Sequence, residues 1–112
     1  MNQKILERAI DYYGIDHQER KCFEEIGEFL QAINKAKDAA FGPDPIIYEY
    51  EKQHLQEEIA DCLIVFYQMR LIYGPDAVDR FVISKLERLE ERLNEKAESA
   101  MRKSMPEENG GM

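Results

Sequence analysis

The sequence predicts an all-α protein that folds as an antiparallel four-helix bundle. Apolar residues recur at helical spacing along nearly the whole chain, which indicates amphipathic helices. Glycine and proline divide this pattern at Gly14, at residues 42–45 and at residues 74–75, leaving four segments. A chain of 112 residues is long enough for one core but not for two, so the segments are expected to form a single domain.

The first two segments predict a short helix followed by a long one. The short helix has its apolar residues within 5–13 and ends at Gly14. Asp16 is expected to begin the long helix, and Glu19, three residues further, completes a capping box. The apolar stripe of the long helix comprises Cys22, Phe23, Ile26, Phe29, Leu30 and Ile33. The segment AAFGPDP at residues 39–45 then ends this helix.

The third segment is expected to be the centre of the fold. Its helix is predicted from about Tyr48 to Tyr73, where Gly74 and Pro75 stop it. Residues 59–67 are almost wholly apolar, and on a helix their side chains point in every direction. Such a helix is buried on all sides, and one small bundle does not supply enough neighbours. We therefore expect a second copy to cover part of it, as a homodimer or a dimer of dimers.

Asp76 is predicted to cap the fourth helix. The apolar stripe of this helix comprises Val78, Phe81, Val82, Leu86, Leu89 and Leu93. Lys85 and Arg92 lie along one border of the stripe. Helical periodicity is lost from about Ser99, which predicts a folded domain over residues 1–98 and a disordered tail over residues 99–112.

Composition excludes several classes of partner. A formal net charge of -8 disfavours binding to a nucleic-acid duplex, because phosphate backbones attract basic surfaces. The apolar runs are far shorter than the roughly 20 residues that cross a bilayer, and the amino terminus does not resemble a signal peptide. We expect a cytoplasmic protein in which Cys22 and Cys62 are reduced thiols among apolar neighbours.

Two pairs of acidic residues stand out from the helical pattern. Glu25 and Glu28 are three residues apart, and so are Glu58 and Asp61, which places each pair on one helix face. Clustered carboxylates repel one another, and either protonation or a bound cation relieves that repulsion. An all-oxygen ligand set favours a hard cation such as magnesium, which also binds phosphate oxygens. The pattern therefore predicts a magnesium site, with manganese as a substitute and a polyphosphate as ligand.

The motifs EEIGE at residues 24–28 and EIAD at residues 58–61 resemble the signature of the MazG-type family. Members of that family are all-α nucleoside triphosphate pyrophosphohydrolases, and the likeness covers about residues 18–93. The resemblance implies that Glu25, Glu28, Glu58 and Asp61 bind the metal, and that Glu24 supports a ligand or helps to orient water. It also implies cleavage between the α and β phosphates of (d)NTPs and a role in cleaning the nucleotide pool. The spacer between the motifs is long for the family.

A basic residue must also contact the triphosphate. We expect Lys85 to do so, followed by Arg92, Lys21 and Lys35 as further candidates. Lys85 is preferred because it lies closest to the apolar border of its helix.

Three other interpretations remain open. Glu24, Glu25 and Glu28 can be an ordinary solvated helix face, in which case Asp61 pairs with a basic residue and the protein is a dimeric scaffold without catalysis. A di-iron bundle uses two Glu-x-x-His motifs, but only Glu51 and His54 form one here. The third is the phosphoribosyl-ATP pyrophosphatase branch of the same superfamily.

Overall fold

The computed structural model describes residues 1–104, which form four helices and contain no strand. The helices are α1 (Gln3–Tyr13), α2 (Ile15–Phe41), α3 (Pro45–Tyr73) and α4 (Pro75–Ser104). The chain divides into two compact units. Met1–Pro75 holds the first three helices, and the second unit begins at Asp76 and holds the rest of α4. The predicted all-α class is confirmed.

Gly14 connects α1 to α2 without an intervening loop. Its φ of 88° lies in the region that favours glycine, and its N–H donates to the carbonyl of Ile10 at 2.8 Å. The carbonyl of Gly14 in turn accepts the N–H of Gln18 at 3.1 Å, so the same residue is the N-cap of α2. The predicted capping box at Asp16 and Glu19 is therefore wrong, because the helix already begins at Ile15. Asp16 lies in the first turn, where its charge complements the helix dipole.

The connection between α2 and α3 is shorter than the sequence suggested. Asp44 is the N-cap of α3, and its carboxylate accepts the N–H of Ile46 at 2.9 Å. Pro45 occupies the first helical position, where its fixed φ suits a helix and its missing N–H costs nothing. The helix thus begins three residues before Tyr48, and Pro45 starts α3 although the sequence analysis treated it as part of the break.

The α2–α3 pair is antiparallel and forms the centre of the first unit, with α1 packed against both helices. Gln18 near the start of α2 donates to Gln68 near the end of α3 at 2.9 Å, and both side chains are buried. The thiol of Cys62 lies 3.4 Å from the backbone oxygen of Glu25, further along the same contact. The buried apolar residues of this unit are Leu6, Ala32, Ala36, Cys62 and Val65.

The apolar centre of α3 is only partly buried within one chain. Phe66 and Leu63 are each 48% exposed, although the sequence predicts burial on all sides. They line an apolar groove of about 420 Å³ between α2 and α3, which we call the apolar face. The apolar face comprises Ile26, Phe29, Leu30, Ile33, Leu55, Ile59, Cys62, Leu63 and Phe66.

The fourth helix is longer than expected at both ends. It begins at Pro75, one residue before the predicted cap Asp76, and continues to Ser104. Residues 99–104, which the sequence analysis assigned to the tail, are therefore helical, and Arg102 and Lys103 in the last turn complement the helix dipole. The rest of the predicted tail, residues 105–112, lies outside the described residues. None of the described residues of α4 is buried.

None of the four described helices combines the length and the apolar character needed to cross a bilayer.

Candidate metal centre

Three of the four predicted ligands meet where α2 lies against α3. One carboxylate oxygen from each of Glu25, Glu58 and Asp61 lies within 4.8 Å of the others. Glu25 and Glu58 lie in the interior of the helix pair, and each is only 7% exposed, whereas Asp61 is exposed. The antiparallel register that joins Glu25 to Cys62 brings the two motifs to the same level. We call these three residues the acidic cluster.

Each buried carboxylate has one oxygen near a basic group and one without a partner. Oε1 of Glu25 lies 3.4 Å from Nζ of Lys21, and Oε1 of Glu58 lies 3.8 Å from Nε2 of His54. Both basic residues are four positions earlier on the same helix, which is the spacing that brings side chains together. The Oε2 atoms of Glu25 and Glu58 are buried and have no hydrogen-bond partner. Buried carboxylate oxygens are rarely left in this state, because the missing partner is costly.

The acidic cluster makes both buried acids harder to ionise. Burial raises the pKa of Glu25, the charges of Asp61 and Glu28 raise it further, and the ammonium of Lys21 opposes the change. Burial likewise raises the pKa of Glu58, with Glu28 and Asp61 as the next causes and His54 opposing them. A positive ion bound among these oxygens would favour the ionised forms of both acids.

Glu28, the fourth predicted ligand, lies at the edge of this site. Its side chain is exposed, and its charge reaches both buried acids, as their raised pKa values show. The group within 4.8 Å comprises the acidic cluster without Glu28. An exposed glutamate on the same helix face has freedom to turn toward an ion held by the other three. Glu24 is exposed and is not part of the close group.

The predicted basic residues occupy three different places. Lys21 lies at the acidic cluster, through its contact with Glu25. Lys35 is exposed on α2, ten residues after Glu25 and so about 15 Å away along the helix axis. Lys85 and Arg92 are exposed residues of α4, in the second unit. Their contact with a triphosphate stays a prediction.

Some features of the site were not foreseen from the sequence. The hydrogen bond from Cys62 to the backbone of Glu25 depends on the register between two helices, for which the sequence carries no direct signal. Both cysteines are free thiols, as predicted, but Cys22 is only half-buried. The contact between Lys21 and Glu25 could have been predicted, because the two residues are four positions apart on one helix.

Comparison with family models, with curated proteins and with solved structures found no match for this chain. The resemblance to the MazG-type family therefore rests on the two acidic motifs alone.

Proposed function

We propose that this protein is a magnesium-dependent pyrophosphohydrolase that cleaves (d)NTPs between the α and β phosphates. The products would be a nucleoside monophosphate and pyrophosphate, and a role in cleaning the nucleotide pool would suit that reaction. The protein would resemble the MazG-type enzymes, with a helical bundle of the kind expected from the sequence.

The observation that carries the proposal is the pair of partnerless oxygens in the acidic cluster. Glu25 and Glu58 present buried Oε2 atoms beside the carboxylate of Asp61, in an environment that raises the pKa of both glutamates. A purely structural cluster is normally satisfied by hydrogen bonds or by tight ion pairs. These donors are all hard oxygens, which fit magnesium or manganese better than zinc.

Glu25, Glu58 and Asp61 would hold the metal, and Glu28 would complete the set from the edge. Bound there, magnesium would neutralise phosphate charge and lower the pKa of a bound water molecule. Glu24, one residue from Glu25, would help to orient that water. Magnesium held by these few protein oxygens would also bind phosphate oxygens, as it usually does in proteins.

Basic side chains would hold the remainder of the triphosphate. Lys85 is the first candidate, with Arg92, Lys21 and Lys35 behind it. Replacing Lys85 with alanine should mainly raise KM, because a residue that binds ground-state phosphates contributes to substrate affinity.

The protein would act as a homodimer or a dimer of dimers. The apolar face leaves residues such as Leu30 and Phe66 about half exposed, and a second copy would cover them. Exposed apolar surface of this kind commonly marks a protein interface.

Incubation with a panel of canonical and modified (d)NTPs and magnesium tests the activity. Release of pyrophosphate is expected, and Glu58→Gln and Asp61→Asn should each abolish it while the helical circular-dichroism signal persists. Glu57→Gln makes the same charge change at an exposed neighbour and should retain turnover. Orthophosphate as the product would indicate another hydrolase, and unchanged turnover in both site variants would exclude this site.

The alternative is a dimeric helical scaffold without catalysis, for which the apolar face is the supporting observation. Such a scaffold would release no pyrophosphate from any nucleotide.

A further inference from the structure

Lys21 is the one lysine that contacts a member of the acidic cluster in the described residues. Its Nζ lies 3.4 Å from Oε1 of Glu25, and its side chain is half exposed. The contact draws on only one of the two glutamate oxygens, because Oε2 has no partner. Lys21 therefore offsets only part of the negative charge of the acidic cluster.

A lysine in this position competes with a divalent ion. Both are attracted by the same carboxylate, and they repel each other when both are present. The half-exposed stem of Lys21 has room to swing into solvent, since a lysine carries its charge on four flexible methylene groups. The buried glutamate has no comparable freedom.

The same side chain has a second use once it is released. A metal ion that carries a triphosphate brings a cluster of negative oxygens to the site. An ammonium within reach of Glu25 is also within reach of phosphates bound to an ion on that carboxylate.

We propose that Lys21 is an exchangeable counterion, which pairs with Glu25 in the empty site and transfers to a phosphate group when the metal–nucleotide complex binds. This inference rests on the proposed function and adds a specific role for one residue. It predicts effects of opposite sign on two affinities. Removing the lysine charge tightens binding of the metal alone and weakens binding of the metal with a triphosphate.

The first measurement is the affinity of the nucleotide-free protein for Mn²⁺. The electron paramagnetic resonance signal of the free ion reports how much Mn²⁺ is unbound. Lys21→Met should bind Mn²⁺ about threefold more tightly than the natural protein at low ionic strength, because one repelling charge is gone. Lys21→Arg retains the charge and should bind as the natural protein does. Lys37→Met removes a lysine charge from an exposed position of α2 remote from Glu25, and should also leave the affinity unchanged.

The second measurement is the affinity of the protein for a non-hydrolysable α,β-methylene nucleoside triphosphate in the presence of saturating Mn²⁺. Lys21→Met should bind this analogue about fivefold more weakly, which is the order of one exposed charge contact. Circular dichroism checks that the variant is folded.

The outcomes separate this inference from the proposed function. If the natural protein binds no Mn²⁺, or if Asp61→Asn binds it equally well, the proposed metal site is wrong. The proposed exchange of Lys21 is then wrong as well. If Asp61→Asn abolishes binding but Lys21→Met binds the metal with unchanged or weaker affinity, the site stands and the exchange is overturned. Unchanged binding of the analogue by Lys21→Met overturns the exchange as well.

Discussion

The thiol of Cys62 on α3 donates a hydrogen bond to the backbone carbonyl of Glu25 on α2, with 3.4 Å between sulfur and oxygen. This contact marks the level at which the two acidic motifs meet. It also buries the thiol beside three carboxylates, so that burial raises the pKa of Cys62, with Glu25 and Glu58 as the next causes.

We predict that Cys62 is unreactive in the folded protein. Thiolate is the reactive form of cysteine. Burial raises the pKa of both thiols, with nearby carboxylates as additional causes at Cys62, and Cys62 is also the less accessible of the two. Iodoacetamide at pH 8 should modify the half-buried Cys22 faster than Cys62, as followed by peptide mass spectrometry. In concentrated urea the two rates should become similar. Equal rates in the folded protein would contradict the packing of Cys62 against α2.

We predict that the metal-free protein is destabilised by the ionisation of its two buried glutamates. The folded-state pKa values of Glu25 and Glu58 are raised. The contribution of these two glutamates to the free energy of unfolding is therefore greatest below the ordinary pKa of glutamate, where both are protonated. It is lost as the pH rises through the raised values, since the unfolded chain then releases protons more readily.

Glu58→Gln should therefore melt at a higher temperature than the natural protein at pH 7 in EDTA, and the difference should shrink toward pH 4. Glu57→Gln, an equal charge change at an exposed position, provides the comparison. A melting temperature of Glu58→Gln that is lower at pH 7 would show that the cluster is not under electrostatic strain.

We predict that the buried pair Gln18 and Gln68 is energetically coupled. Replacing one glutamine with methionine leaves the other buried amide without its partner, which costs about 1–3 kcal/mol. Replacing both should cost less than the sum of the single changes, because two apolar side chains of similar size can pack together. Urea denaturation of the natural protein, the two single variants and the double variant measures the coupling energy between the two positions.

Gln31→Met, at an exposed position of α2, should change the free energy of unfolding by less than about 0.5 kcal/mol. Additive effects at positions 18 and 68 would mean that their amides do not interact.

We predict that the apolar face is the surface through which two copies associate. Phe66→Asp places a charge on that face and should reduce the mass in light scattering to that of one 13.2 kDa chain. Gln53→Asp introduces the same charge at another exposed position of α3 and should leave the mass unchanged. A monomeric natural protein, or a Phe66→Asp variant of unchanged mass, would exclude this interface.

Local signals predicted most of the secondary structure. Gly14 and Gly74 end helices because both adopt a positive φ, and a glycine at those places is visible in the sequence. The starts of α2 and α3 differed because an earlier residue is the N-cap, and α4 differed because it continues past Ser99, where the apolar periodicity is lost. Asp44 caps α3, and the helix starts at Pro45 although proline usually signals a break.

Residue spacing established which side chains were available for metal chemistry. A three-residue spacing places Glu58 beside Asp61 and Glu25 beside Glu28 on any helix, whatever the rest of the chain does. It also placed Lys21 and His54 one turn before the two buried glutamates.

The packing of α2 against α3 established which of these acids meet and which are shielded from water. The register of α2 against α3 buries Glu25 and Glu58 and leaves Asp61 and Glu28 exposed. Helical periodicity alone does not define that register, because it depends on how side chains from two distant segments pack. The same packing leaves the two Oε2 atoms without partners, and the proposed metal site rests on that arrangement.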